Sequence, residues 1–165
     1  MGTVRTGMKQ DTNGTLLCVD PGGSGRGHTG IVVLNYTPNS LSLADSWAVP
    51  NGLDGFVEWS FNYDWSNPTH VVVEHFVNRN VKGADLTPVL IEGAVRIELK
   101  RHKLDSTLQP AAGKNAMIPD VILKHFGLYT FRGDHHHDRR EAARHGLLWL
   151  RNSYNPYVLK AIRDC

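Results

Sequence analysis

The sequence predicts an α/β domain built on a mixed five-stranded sheet flanked by helices. Three observations carry this. Extended segments follow one another from Leu16 to Val49 with short polar turns between them, as in a meander. The run Val71-Val72-Val73-Glu74 is almost wholly apolar, as a strand covered on both faces must be. From Thr87 onward, helical spacings alternate with short extended pieces, and that order of elements belongs to α/β proteins.

The first fourteen residues are polar and without periodicity, so a loose tail is expected over 1–14 and a single domain over 15–165. Strand one ends on Asp20, where Pro21-Gly22-Gly23 breaks it. Gly30 to Tyr36 reads as strand two, and Ser42 to Val49 as strand three after the turn Pro38-Asn39-Ser40. Leu53, Phe56, Val57 and Phe61 have helical spacing, and Asn67-Pro68 stops that element. After strand four at Val71–Glu74, Thr87 as N-cap and Pro88 at the first helical position open a long helix to about His102. Leu104 to Leu108 is expected as strand five. Pro119 then opens a helix that Gly127 ends, Tyr129 to Phe131 reads as extended, and a last helix runs from about Asp138 to Trp149.

The chain has 165 residues, 41% of them apolar, enough for one core and too little for two ordinary domains. No stretch approaches the roughly 20 apolar residues that cross a bilayer, so no membrane partner and a cytoplasmic location are expected. The two cysteines, Cys18 and Cys165, have neither a paired nor a metal-ligand spacing. The net charge of +2 conceals an asymmetry: residues 1–80 carry four Lys/Arg against seven Asp/Glu, residues 81–165 fourteen against nine. Lys100-Arg101-His102-Lys103 and the group Arg139, Arg140, Arg144 and Arg151 concentrate the excess. Such surfaces suit phosphate backbones, although cations at a helix C-terminus also simply complement its dipole.

Acids mark the candidate site. Asp20 and Glu74 each close an apolar strand, and if those strands are adjacent and parallel the two carboxylates lie side by side. Like charges that close raise each other's pKa unless a cation sits between them. Asp138 and Glu141, spaced i, i+3, share one helix face and complete a set of four hard oxygen donors suited to Mg²⁺ or Mn²⁺. Two such ions about 4 Å apart support phosphodiester cleavage. Taken singly, each acid has a plainer role, Asp20 as a turn former and Asp138 with Glu141 as ordinary N-terminal helix acids. The run His135-His136-His137 could hold a softer ion such as Zn²⁺, or form an exposed loop.

Together these residues resemble the RuvC-like Holliday junction resolvases of the RNase H-like superfamily, in particular the small versions found in phages. Asp20-Pro21-Gly22 is similar to the first metal-ligand motif. Val73-Glu74-His75-Phe76, with Arg79 to Lys82 and Glu92-Gly93-Ala94 after it, resembles the second acid motif and its following helix. Ala112-Gly113-Lys114 is similar to the basic loop that faces DNA. Asp138-Arg139-Arg140-Glu141-Ala142-Ala143 resembles the terminal helix. The resemblance implies an RNase H-like sheet, catalysis by two Mg²⁺ or Mn²⁺ ions per site, and a homodimer that cleaves branched DNA in phage recombination or DNA processing, in the host cytoplasm. It implies Asp20, Glu74, Asp138 and Glu141 as metal ligands and Lys114 as a phosphate contact or leaving-group stabiliser. Phe76, Arg79, Lys82, Arg139 and Arg140 would position DNA, with Phe76 stacking on an unpaired base.

The chain departs from the family at the aromatic wedge, where Val77 stands three residues after the second acid and Phe76 one place earlier. Gln109-Pro110-Ala111 replaces a longer basic loop. The final motif also has a competing register, His135-x-x-Asp138; Asp138-x-x-Glu141 is preferred because the small pair Ala142-Ala143 follows Glu141. Two other classes remain in view. One is a DNA-binding scaffold without catalysis. The other is an actin-like or sugar-kinase phosphate site at Asp20-Pro-Gly-Gly-Ser-Gly, but that fold needs two lobes around its nucleotide and the chain has barely one, so no nucleotide cofactor is expected.

Overall fold

The computed structural model describes residues 13–23, 27–77 and 82–165. Five strands, β1 (Gly14–Asp20), β2 (Thr29–Tyr36), β3 (Leu41–Val49), β4 (His70–His75) and β5 (Ser106–Pro110), form one sheet in the order β3-β2-β1-β4-β5. The first three pair antiparallel, as a meander must, whereas β4 and β5 pair parallel to β1 and to each other. The parallel pairs need crossovers. Helix α1 (Gly52–Asn62) lies between β3 and β4, and α2 (Thr87–His102) between β4 and β5.

Side chains along each strand alternate between two cores. Leu17, Val19, Ile31, Val33, Val71 and Val73 face α1 and α2, where Phe56, Ile91 and Val95 close the layer. Leu16, Cys18, Val32, Leu34 and Val72 face the other way, against α4 (Asp120–His125), α5 (His136–Asn152) and α6 (Pro156–Asp164). Continuing the alternation, Asp20 and Glu74 fall on the α5 side. Helix α5 lies unusually close to the sheet there because two glycines leave room. A Cβ at Gly146 would come 2.5 Å from Cys18 Sγ, and one at Gly30 would overlap the Asp138 carbonyl oxygen.

Most sequence-predicted elements stand where expected, with instructive differences. Strand β5 begins at Ser106 rather than Leu104, because Lys103 ends α2 in a left-handed conformation and Leu104 still donates to the Leu99 carbonyl. Thr87 is the first residue of α2 and not its cap; its N–H is taken by the Asp85 carboxylate at 3.0 Å. Tyr129–Phe131 forms no strand, since the Leu128 and Phe131 amides bond locally to the Leu123 carbonyl and to His136 Nδ1. Helix α5 starts two residues before Asp138. The loop expected around Lys114 is a short helix, α3 (Lys114–Met117), entered through Gly113 at φ 77°. The final helix α6 was not anticipated, although its start is signalled by Asn155, whose side chain accepts from the Tyr157 and Val158 amides, and by Pro156. Among the described residues no helix is long and apolar enough to cross a membrane. The expected tail over 1–14, Ser24 and Gly25 of the glycine loop, and Arg79 lie wholly or mostly outside the described residues.

Candidate active site

Pairing of β1 with β4 runs in register through Val19 and Val73, so the next residue on each strand is an acid: Asp20 and Glu74. Both carboxylates stand at the C-terminal edge of a parallel pair, where the chain leaves the sheet and a cleft can open. Helix α5 crosses this edge and brings in two more groups, Glu141 and, one turn later, His145. A ligand atom of Asp20, one of Glu74 and one of His145 lie within 4.8 Å of one another.

Lys114 occupies the centre of this cluster. Its ammonium lies 2.6 Å from Glu74 Oε2 and 2.9 Å from Glu141 Oε2, and the side chain is almost fully buried. This corrects the expectation of a lysine on a DNA-facing loop. Helix α3 turns its first residue inward, and the two carboxylates compensate the desolvated charge. Glu141 is held from the other side by Arg144 at 3.3 Å, itself buried, ion-paired to Asp120 at 2.7 Å and donating to the Ile118 carbonyl. Arg144 is thus an internal clamp, not part of a basic surface.

His145 was missed in the sequence, although its i, i+4 spacing from Glu141 on one helix face was the available signal. It is completely buried. The Gln109 amide donates at 3.0 Å to both its Nδ1 and its backbone carbonyl. With Nδ1 accepting, Nε2 carries the proton and donates to Glu74 Oε2 at 2.6 Å. Gln109 on β5 therefore fixes the tautomer, and His145 in turn fixes the carboxylate.

The electrostatics are unequal across the cluster. Burial, followed by the charge of Glu74, raises the Asp20 carboxyl well above its ordinary range; Lys114 opposes the rise, while Glu141 and a hydrogen bond to Glu74 add to it. Burial would also raise Glu74, but the hydrogen bonds from His145 and Lys114 outweigh it and bring the group down to about 2. Glu141 is likewise lowered against the effect of burial, by Lys114 and then Arg144. Burial disfavours the charged form of Lys114, and the surrounding acids overcome it, raising its pKa. Three carboxylates thus compete for a limited supply of positive charge, and Asp20 answers by favouring its proton. That donor set, oxygen-rich and short of cations, fits a hard divalent ion of the Mg²⁺ or Mn²⁺ type.

The remaining sequence-predicted residues sit around this centre. Asp138 does not join the Asp20–Glu74–His145 group; its carboxylate gathers with His28 and His135 instead, again within 4.8 Å. Phe76 is partly buried directly after β4, with its amide donated to Glu92 Oε2 at 3.3 Å. Lys82 is exposed. Arg139 donates to the Arg132 carbonyl at 2.7 Å, and Arg140 lies over the Tyr129 ring at 4.4 Å.

No family model matches the chain, and no curated protein matches it in sequence. Solved structures do. RuvC of T. thermophilus in complex with Holliday junction substrate superposes with a TM-score of 0.60 at 11% identity, covering 86% of this chain and 96% of that one. A second Thermus thermophilus RuvC structure gives 0.57 at 14% identity, over 84% and 96% of the two chains. The Holliday junction resolvase of fowlpox virus gives 0.52 at 13% identity, over 84% and 99%. At such identities the likeness speaks to architecture, and it spans nearly the whole of each neighbour: the protein has a RuvC-like fold.

Proposed function

We propose that this protein is a divalent-metal-dependent, structure-selective endodeoxyribonuclease that cleaves branched DNA such as Holliday junctions, forks or flaps, in phage recombination or DNA processing. The observation that carries this reading is the convergence of Asp20, Glu74 and Glu141 at the edge of a parallel strand pair, with more carboxylate than cation. Its support from outside the chain is that two fold neighbours are named as Holliday junction enzymes, one bound to its junction.

In this reading Asp20, Glu74 and Glu141 hold Mg²⁺ or Mn²⁺, two ions per site; Asp138, expected as the fourth acid, stands apart with His28 and His135. When bound, such ions supply Lewis acidity toward the scissile phosphate and a water acidified enough to attack it. The protein residues prepare that chemistry. His145 holds Glu74 in one orientation through its fixed tautomer. Lys114, held charged between Glu74 and Glu141, would supply a cation beside the scissile phosphate and stabilise the leaving group. Arg79, Lys82, Arg139 and Arg140 contact the DNA backbone, and Phe76 stacks on an unpaired base at the branch.

Cutting two strands symmetrically requires two sites, and α2 offers a surface for a homodimer. Leu86, Leu90 and Ile97 leave 51%, 54% and 61% of their area exposed along its outer face, with open space at Gly93 between them.

The test is cleavage of labelled four-way, forked, flap and linear duplex DNA with Mg²⁺ or Mn²⁺. Wild type is expected to cut branched substrates, and Asp20→Asn and Glu74→Gln to lose activity by about a hundred- to a thousandfold, as for loss of a transition-state-stabilising group. A folded wild-type protein that binds branched DNA but leaves every substrate intact would instead identify a scaffold.

A further inference from the structure

The proposed nuclease makes no use of the histidine run, yet one of its members meets a partner from the opposite end of the chain. We propose that His28, His135 and Asp138 form a second metal site, suited to a borderline transition ion of the Zn²⁺ class, which clamps the end of the β1–β2 loop to the first turn of α5. The proposal does not depend on the nuclease reading.

Donor atoms of the three side chains already lie within 4.8 Å of one another. The His28 and His135 rings are stacked, with centroids 3.7 Å apart and planes inclined by 27°. Binding would require the two rings to unstack and turn their donor nitrogens toward the Asp138 carboxylate, to the roughly 2.0–2.2 Å at which imidazole and carboxylate bind zinc. The backbone beneath them is fixed. His28 leads directly into β2, whose first residue, Thr29, accepts the Gly22 N–H at 3.1 Å and so ties the loop's two ends together. Asp138 is pressed against Gly30, where no side chain would fit.

His135 has a special conformation. It stands before α5 with φ 58°, a left-handed geometry unfavourable for a residue with a Cβ, and its side chain makes no capping bond to the helix. Its imidazole is turned toward His28 instead. Its sequence neighbours are otherwise engaged: His136 Nδ1 accepts the Phe131 amide at 3.0 Å, and His137 is exposed on the helix. Two imidazoles with one carboxylate select a different ion from the carboxylate-rich centre near Asp20, because imidazole nitrogen favours zinc-like metals and carboxylate oxygen favours Mg²⁺. Two adjoining sites of different hardness thus share helix α5.

The test uses the full chain, stripped with chelator and titrated with ZnCl₂ by calorimetry and with CoCl₂ by visible absorption, alongside thermal melts. One equivalent should bind wild type, the Co²⁺ spectrum should show imidazole-ligated metal, and Zn²⁺ should raise Tm. His28→Ala and His135→Asn should each weaken Zn²⁺ binding by at least about tenfold and remove the Tm shift, consistent with loss of a ligand; asparagine is chosen because it tolerates the left-handed backbone. His137→Ala should bind Zn²⁺ as wild type does, and the losses in His28→Ala and His135→Asn should persist in a Glu74→Gln background, where the Asp20 cluster is disabled. The proposal is overturned if wild type binds no Zn²⁺. Binding that survives both His28→Ala and His135→Asn but is lost in Glu74→Gln would assign the ion to the Asp20 cluster, and loss in His137→Ala would assign it to the histidine run as a simple chelator; either result also refutes it. None of these readouts is DNA cleavage, so failure of the nuclease reading would leave the result intact.

Discussion

Glu74 and Glu92 are both glutamates set against strand β4, and their surroundings could hardly differ more. Glu92, on α2, is buried with every charge answered: Arg96 donates to Oε1 at 2.6 Å, His75 Nδ1 lies 3.0 Å from Oε2, and the Phe76 amide reaches the same oxygen. One acid there has a full cation, an imidazole and an amide to itself. Glu74 shares its lysine with Glu141 and lies beside Asp20. The Glu92 group fastens the chain where it leaves β4. The Glu74 group is left short of positive charge, which costs stability in the free protein and makes room for an incoming cation. Burial of an acid therefore says little about its job; the balance of partners around it says more.

Removing a cation from the strained group should have the largest effect. Lys114→Met would leave two partly buried carboxylates without their shared counterion, and a loss of about 3 kcal/mol in chelator is expected from chemical denaturation. Because Mg²⁺ can then substitute for the lysine, the stabilisation it gives should be greater in Lys114→Met than in wild type; equal responses would mean that the ion binds elsewhere. At Glu92 a smaller loss is expected. Glu92→Gln keeps an acceptor for Phe76 but surrenders the ion pair, whose Arg96 is half exposed and hence screened, so about 1 kcal/mol is the scale, with no change in the Mg²⁺ response.

Asp20→Asn should act in the opposite direction, stabilising the metal-free protein by about 1 kcal/mol near neutral pH. The sign follows from linkage. Asp20 is raised in the folded state, so the cost of its ionisation is full above the raised value, shrinks as pH falls below it, and disappears only below the ordinary value near 3.8, where folded and unfolded chains are both protonated. The advantage of Asp20→Asn should therefore shrink as pH falls. Glu74 has the opposite sign: its contribution is present above its ordinary value of 4.5 and is lost as pH falls toward about 2. Melts of both proteins in chelator across this range would separate the two, and an advantage independent of pH would contradict the assignment.

The strands and the two strand-end acids were legible because both follow from local pattern. An apolar run broken by Pro-Gly, or ended by a carboxylate, states where a strand stops and what stands there. The position of Lys114 was not legible. A four-residue helix has almost no pattern of its own, and only the carboxylates of β4 and α5 decide that its lysine points inward. Asp138 taught the same lesson in reverse: its spacing from Glu141 was read correctly as one helix face, but the company it keeps depends on His28, which only the β1–β2 loop can deliver. The Glu141–His145 spacing and the Asn155-Pro156 start of α6 were present in the sequence and needed only a wider reading.

The seam between α5 and the sheet has a chemical consequence. Cys18 lies beneath Gly146, fully buried, and burial pushes its thiol up, so it stays protonated and inert to oxidants and labelling reagents. Cys165 is exposed. A thiol reagent should therefore modify Cys165 at once and reach Cys18 only when the helix carrying Glu141 and His145 lifts, which makes the slow thiol a built-in clock for the opening of the acidic edge.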